Sequence, residues 1–268
     1  MLDRVHAAES SDPALRHRYG AVLAELYDAV KDERALAAAC DHFRFVTGSR
    51  APQLLRAEAA NDLAICEAHL GHHGTEITAY DAALGLEVHD ETRAVLYANR
   101  AEAQMYQGRM VAAVAGYRAS LATLPGYAYP SMATSTHWGL AVALDRTGDL
   151  AAAFEQIELA RTLDPADAAI HGPTWFYVPD YDEHWYAALG YWQHARTAVD
   201  ALERVHLYAD AASAWSRYLD RAPDADRWLG LAALRRRAVE RELAAAQKTL
   251  DELEPMPRER PDGPALDP

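Results

Sequence analysis

One stretch constrains this chain more than any other: HWGLAVALDRTGDLAAAFEQIELARTLDP, residues 137–165. Two apolar runs with helical spacing flank Thr147-Gly148-Asp149, and Asp164-Pro165 closes the second run. A glycine ends a helix where the backbone must turn left-handed. The aspartate after it caps the next helix, and a proline cannot continue one. The stretch therefore reads as a helical hairpin. A second copy, LYANRAEAQMYQGRMVAAVAGYRASLATLP, covers residues 96–125 and turns at Gly108. A third, NDLAICEAHLGHHGTEITAYDAALGLEV, covers residues 61–88 and turns at Gly71, with Val88 where the others close on proline. One hairpin cannot bury both of its faces, so recurring hairpins must stack.

Framed as residues 134–167, the first unit resembles a tetratricopeptide repeat, a family with a period of about 34 residues. Leu140, Ala141 and Leu144 take the packing positions of its first helix, and Ala153, Ile157 and Ala160 those of its second. In the second copy Ala101, Ala113 and Tyr117 fall in register, and Ser120 stands for the usual alanine. Arg100 sits where leucine is usual there. In the third copy Leu63, Ala64, Tyr80 and Ala83 fall in register, while Glu76 occupies an alanine position. The resemblance is specific over residues 61–167 and weaker over 15–46 and 181–223. It implies an all-α, right-handed α-solenoid of antiparallel helix pairs, about eleven helices in all.

The rest of the chain divides around this array. Residues 1–50 read as a degenerate helix pair, with helices over 15–30 and 35–46 and a glycine-free turn, Lys31-Asp32-Glu33. Three repeats span 57–167, an aromatic loop 168–180 and an elongated, atypical repeat 181–223. In that last repeat the spacing predicts one long helix over 181–205 and a partner over 209–222. A capping helix comes next over 224–254, with a stripe of Trp228, Leu231, Leu234, Ala238, Leu243, Ala246, Leu250 and Leu253. Residues 255–268 carry five prolines and read as a disordered tail.

Aromatics concentrate in HGPTWFYVPDYDEHWY, residues 171–186, where six of sixteen residues are Trp, Phe or Tyr. Two readings stay open. Trp175, Phe176 and Tyr177 plug a wedge between mismatched units, or Trp175 and Tyr177 form a lip that contacts a partner. Asp180 and Asp182 are expected to serve as N-cap and first-turn charge of the next helix.

Charge narrows the partners. The formal net charge is -14, which disfavours nucleic acid and an anionic membrane surface. No apolar run reaches the length of a membrane helix, and the first twenty residues lack the apolar core of a signal peptide. The expected compartment is the cytoplasm. GxxxxGK[ST], GxSxG, HExxH and GxGxxG do not occur, so no cofactor is implied. Cys66, His69 and His73 of CEAHLGHH could share a helical stripe as zinc ligands, but Gly71 interrupts that helix, and solvated histidines at a turn are the simpler reading. Cys40 and Cys66 read as buried small hydrophobes.

The expected function comes from the resemblance. It implies that the first helix of each pair lines the hollow, through Glu58, Asn61, Ile65, Ala68 and His69, then Val95, Ala98, Glu102, Met105 and Tyr106, then Ser135, Trp138, Val142, Asp145 and Arg146. The alternative for the large side chains is packing against a neighbouring repeat. Some family members grip a carboxylate terminus with Lys, Arg and Asn. Here Asn99 holds one such position, and no lysine or arginine holds the others. Glu102 and Asp145 suit a basic partner instead. The expectation is a non-catalytic scaffold that binds another protein or peptide, apolar with basic groups. The candidate contact residues are Asn61, Ile65, His69, Asn99, Glu102, Met105, Tyr106, Trp138, Val142, Asp145, Arg146, Trp175 and Tyr177. The alternatives are an enzyme or metal-dependent sensor near residues 171–186, and a structural subunit that self-assembles through an exposed end.

Overall fold

A computed structural model describes residues 9–123, 130–171 and 179–253 of the chain. Among the described residues there are twelve α-helices and no β-strand. The chain divides into two compact units, residues 1–180 and 181–268. The aromatic segment's Trp175, Phe176 and Tyr177, the closing Pro125 and the proline-rich tail lie outside the described residues.

The first unit holds α1 (Pro13–Val30), α2 (Glu33–Thr47), α3 (Gln53–His69), α4 (His73–Leu84), α5 (Asp90–Tyr106), α6 (Met110–Thr123), α7 (Pro130–Thr147), α8 (Leu150–Leu163) and the one-turn α9 (Ala168–His171). From α1 to α8 consecutive helices pack on one another, and the first helices of successive pairs also touch, α1 on α3, α3 on α5 and α5 on α7. This is a solenoid-like order of sequential helix pairs.

The turns show why the hairpins repeat. Gly71, Gly108 and Gly148 all adopt positive φ, at 75°, 77° and 96°. Each ends its helix with the same two bonds. Gly71 N–H donates to the Ala68 carbonyl at 2.9 Å and His72 N–H to that of Glu67 at 2.8 Å. Gly108 and Arg109 repeat the pattern on Met105 and Gln104, and Gly148 and Asp149 on Asp145 and Leu144. This is the Schellman closure, which satisfies the last carbonyls of a helix. In the α1–α2 turn Lys31 takes the left-handed conformation, φ 55°, and its N–H bonds the Tyr27 carbonyl alone at 2.6 Å. That is the simpler left-handed cap, reached without glycine.

Between the turns, small residues let the helices close. Leu140, Ala141, Leu144, Ala153, Ile157 and Ala160 are all buried, as are Ala101, Ala113, Tyr117, Leu63, Ala64, Tyr80 and Ala83. Gly139 is a contact point, since a Cβ there would lie 2.5 Å from Tyr117 Cζ.

The second unit holds α10 (Glu183–Thr197), α11 (Ala201–Arg221) and α12 (Leu229–Leu253). The long helix expected over 181–205 is absent. The helix breaks at Ala198–Asp200, and α11, not α10, is the longer of the pair. The reason is a cap within the expected helix: Asp200 Oδ1 accepts from Glu203 N–H at 2.7 Å, which favours starting a new helix there. Asp182 immediately precedes α10 but makes no side-chain capping bond, contrary to the role expected of it.

The stripe expected on α12 is corrected in part, since Ala246 is buried and Trp228, Leu231, Ala238, Leu243 and Leu250 are half-buried as expected. Its buried line is Ala232, Val239 and Ala246, while Leu234 and Leu253 are more than half exposed. Aromatics of the other two helices bond to α12. Trp192 Nε1 of α10 donates to Glu242 Oε2 at 3.1 Å, and the Tyr208 hydroxyl of α11 donates to the same oxygen at 2.9 Å. Glu242 thus ties all three helices together. Burial, ahead of the Glu242 contact, pushes the Tyr208 hydroxyl up to about 12. Asp226 works in the same way, accepting from the hydroxyls of Tyr181 at 2.8 Å and Tyr218 at 3.2 Å.

Candidate functional site: a groove along α3, α5 and α7

The inward positions of α3 and α5 meet solvent in a chain of hollows. The largest, about 860 Å³, lies at the start of α3 and α5, where Glu58, Asn61, Asp62, Asp90, Glu91 and Val95 line it together with His17 of α1. His17 Nε2 sits 2.8 Å from Asp62 Oδ2, which joins α1 to α3. A second hollow of about 230 Å³ shares Val95 with the first and adds Asn99, Glu102, Tyr117 and Ser135. A third, only about 40 Å³, shares Asn99 and Glu102 with the second and is closed by Ile65, Glu76, Tyr80 and Tyr106. Shared residues place the three side by side along one groove-lining face of α3 and α5. Asn99 Nδ2 donates to Asn61 Oδ1 at 3.0 Å across its floor. None of the three hollows is lined by lysine or arginine.

The expected contact residues divide between this groove and the core. Asn61, Ile65, Asn99, Glu102 and Tyr106 line the groove. His69 is turned toward α1, where its ring centroid lies 5.3 Å from that of Tyr27; burial lowers its pKa. Met105 is buried in the core. On α7 the expected lining is closed over: Trp138, Val142 and Asp145 are 0% exposed and Arg146 only 6%. They present no free surface, and the packing alternative describes them. α9 folds back against α7, and its Ile170 is buried. From α8, Arg161 places its guanidinium 5.9 Å from the Trp138 ring centroid, held there by Asp167 at 2.8 Å. Trp175 and Tyr177 lie outside the described residues.

The small hollow carries the least ordinary chemistry. Glu76 sits on α4 at a repeat position where alanine is usual, and it is 5% exposed. Its Oε2 lies 2.9 Å from His73 Nδ1. The His73 ring rests against Tyr106 with centroids 3.8 Å apart, and its backbone carbonyl accepts from Gln107 Nε2 at 2.8 Å. Burial, with the Glu102 charge added, pushes Glu76 up to about 8. Burial first, then the His72 charge, lowers the pKa of His73. Both directions favour the uncharged form of each group. Tyr80 is pushed up by burial, then by Glu76 and Glu102.

Glu76 and Tyr80 were not among the expected lining residues, because both belong to a second helix. The available signal was the break in pattern at Glu76. The CEAHLGHH cluster does not converge. Cys66 Sγ turns to the Leu36 carbonyl at 4.0 Å, His69 to Tyr27 and His73 to Glu76. Among the described residues no group of three His, Cys, Asp or Glu side chains could hold a metal ion, and no helix is long and apolar enough to cross a membrane.

No family model matches the sequence, and no curated protein matches it. The class is therefore defined by the fold itself: an all-α protein built from sequential helix pairs.

Proposed function

We propose that the chain is a non-catalytic scaffold of the tetratricopeptide type, working in the cytoplasm, that holds a basic segment of another protein along the groove of α3, α5 and α7. The observation that carries this reading is the groove's charge. Glu58, Asp62, Asp90, Glu91 and Glu102 line it with no lysine or arginine among them. Complementary potentials select and steer partners, so such a surface rejects acidic chains and attracts basic ones. Tyr106, 38% exposed, supplies apolar area beside Glu102.

The test is affinity capture from lysate with wild-type protein and with Asn99→Arg and Glu58→Lys, two groove changes at positions outside the closed core. The expected result is one recurring, basic partner that both variants lose while their melting temperatures stay at the wild-type value. Partners that bind all three proteins equally, or a catalytic turnover in the purified chain, would oppose the reading.

A further inference from the structure

We propose that the small hollow between α4 and α5 is a receptor for one alkylammonium group, the tip of a lysine side chain in the segment that lies along the groove. The inference rests on the groove reading and goes further, because it assigns one side chain of the partner to one pocket.

Size comes first. About 40 Å³ holds a group little larger than one water. An ammonium fits that space, whereas the planar, forked guanidinium of arginine needs a broader one. Chemistry comes next. Glu76 gives Oε2 to His73, and its other carboxyl oxygen has no hydrogen-bond partner among the described residues. Glu76 lines the pocket, and a donor placed there supplies the bond that oxygen lacks. Glu102 lines the same pocket from α5 and adds a second carboxyl. Tyr80 and Tyr106 form the walls, and aromatic faces attract cations. A metal ion lacks its ligand set here, since no three suitable side chains come together among the described residues.

The neighbouring hollow supplies the approach. Asn99 and Glu102 line both this pocket and the neighbouring 230 Å³ hollow. A four-carbon lysine stem can therefore run from a backbone in the groove to a tip beside Glu76. Binding also moves a proton. The empty site keeps Glu76 protonated at neutral pH, because burial and Glu102 both oppose a second negative charge. An ammonium in the pocket removes that opposition, so Glu76 ionises on binding and one proton leaves to solvent. The groups facing Glu76 are His73 and Tyr80 on its own helix and Glu102 and Tyr106 on α5, while α3 presents Ile65 and Ala68.

The experiment titrates an octalysine peptide, its fully acetylated form, octaarginine and n-butylammonium into the full chain. Binding is read by calorimetry and by carbon-13 shifts of the Glu76 and Glu102 carboxyls. Octalysine is expected to bind, to lower the Glu76 titration midpoint and to release a proton. Acetylation is expected to abolish these effects, and Glu102→Gln to weaken binding by about tenfold, a typical loss for a close charge pair. Glu76→Gln supplies a second variant, accepted only if its melting curve is cooperative. Octaarginine binding equally well, or no movement of the Glu76 carboxyl, overturns the assignment. Butylammonium binding as tightly as the peptide overturns the lysine source and leaves a small-amine site. If octalysine binding ignores Glu76 and Glu102 yet falls with Glu58→Gln, the pocket fails and the groove stands.

Discussion

The α3–α6 and α7–α8 regions share one hairpin plan and treat its inner face in opposite ways. Gly71, Gly108 and Gly148 close their helices with the same bonds, and alanines at matching depths seal the hairpins. Yet Asn61, Ile65, Asn99, Glu102 and Tyr106 of α3 and α5 line the open groove, whereas Trp138, Val142, Asp145 and Arg146 of α7 are buried. The difference goes together with the path of the chain after each pair. After α8 the chain makes a left-handed bend at Asp167 and returns as α9 against α7. After α4 it passes directly into α5 and leaves the inner face uncovered. A repeat thus specifies which residues point inward, and the adjoining chain decides whether inward means core or binding surface.

The sharpest way to break this comparison is to truncate one aromatic from each face. Trp138→Ala empties a fully buried site, and such truncations cost about 3–5 kcal/mol. Tyr106→Ala removes a residue that is 38% exposed and is expected to cost under about 1 kcal/mol. Chemical denaturation of both variants reads the two numbers directly. Comparable losses would mean that the faces do not differ.

Glu76 tests the open face through pH. Its folded pKa is raised, from 4.5 to about 8. The folded state therefore keeps a proton that the unfolded chain releases. Stability from this group is fully present below the unfolded value and is lost as pH rises through the folded one. Glu76→Gln removes that dependence. The variant is expected to match wild type near pH 4 and to exceed it by roughly 1–3 kcal/mol near pH 9. Urea melts across that range would show it, and parallel curves at every pH would refute it.

Much of this contrast was legible in the sequence. Turn glycines, capping aspartates and alanines at helical spacing report local backbone and packing demands, and these repeat wherever the hairpin repeats. The features that could not be read there depend on neighbours far along the chain. Burial of Trp138 and Asp145 is accompanied by the return of α9, and no residue of α7 announces that return. The break at Asp200 was readable, since Asp200 with Glu203 three residues on is a helix-start signal, but the apolar run across it masked the signal. Glu76 was visible as an exception to the pattern. Its partner His73 was visible only as a possible metal ligand, because proximity between the two needs the turn to be built first.

Gly139 and Gly74 carry the comparison into smaller energies. Gly139 lies where α6 and α7 close, with Tyr117 filling the space that a Cβ would need. Gly139→Ala is expected to cost about 1–3 kcal/mol through overpacking. Gly74, in the first turn of α4, has no atom within 4 Å of a built Cβ. Gly74→Ala there restricts the unfolded chain and is expected to stabilise by about 0.4–1 kcal/mol. Opposite signs from one substitution at two glycines would place tight packing at the α6–α7 contact and slack at the α3–α4 turn. A loss at Gly74 would mean that the open pair is packed as closely as the covered one.

The helix starts give another small effect. Asp149 Oδ1 accepts from Ala152 N–H at 3.1 Å and caps α8, whereas α4 begins after His72 with no side-chain cap. Asp149→Ala is expected to cost about 1 kcal/mol. His72→Asp should supply at α4 the acceptor that it lacks, and recover a similar amount. His72 Nδ1 now bonds Glu67 Oε2 at 2.8 Å, however, and Glu67 also holds Arg44 at 2.7 Å. An aspartate at 72 would face that buried carboxylate. The net gain is therefore expected to fall below the loss at Asp149, and a full recovery would show that the His72–Glu67 bond contributes nothing to the α3–α4 turn. Thermal melts of both single variants and the double variant separate the cap from the bond, because the two sites lie in different hairpins and should add.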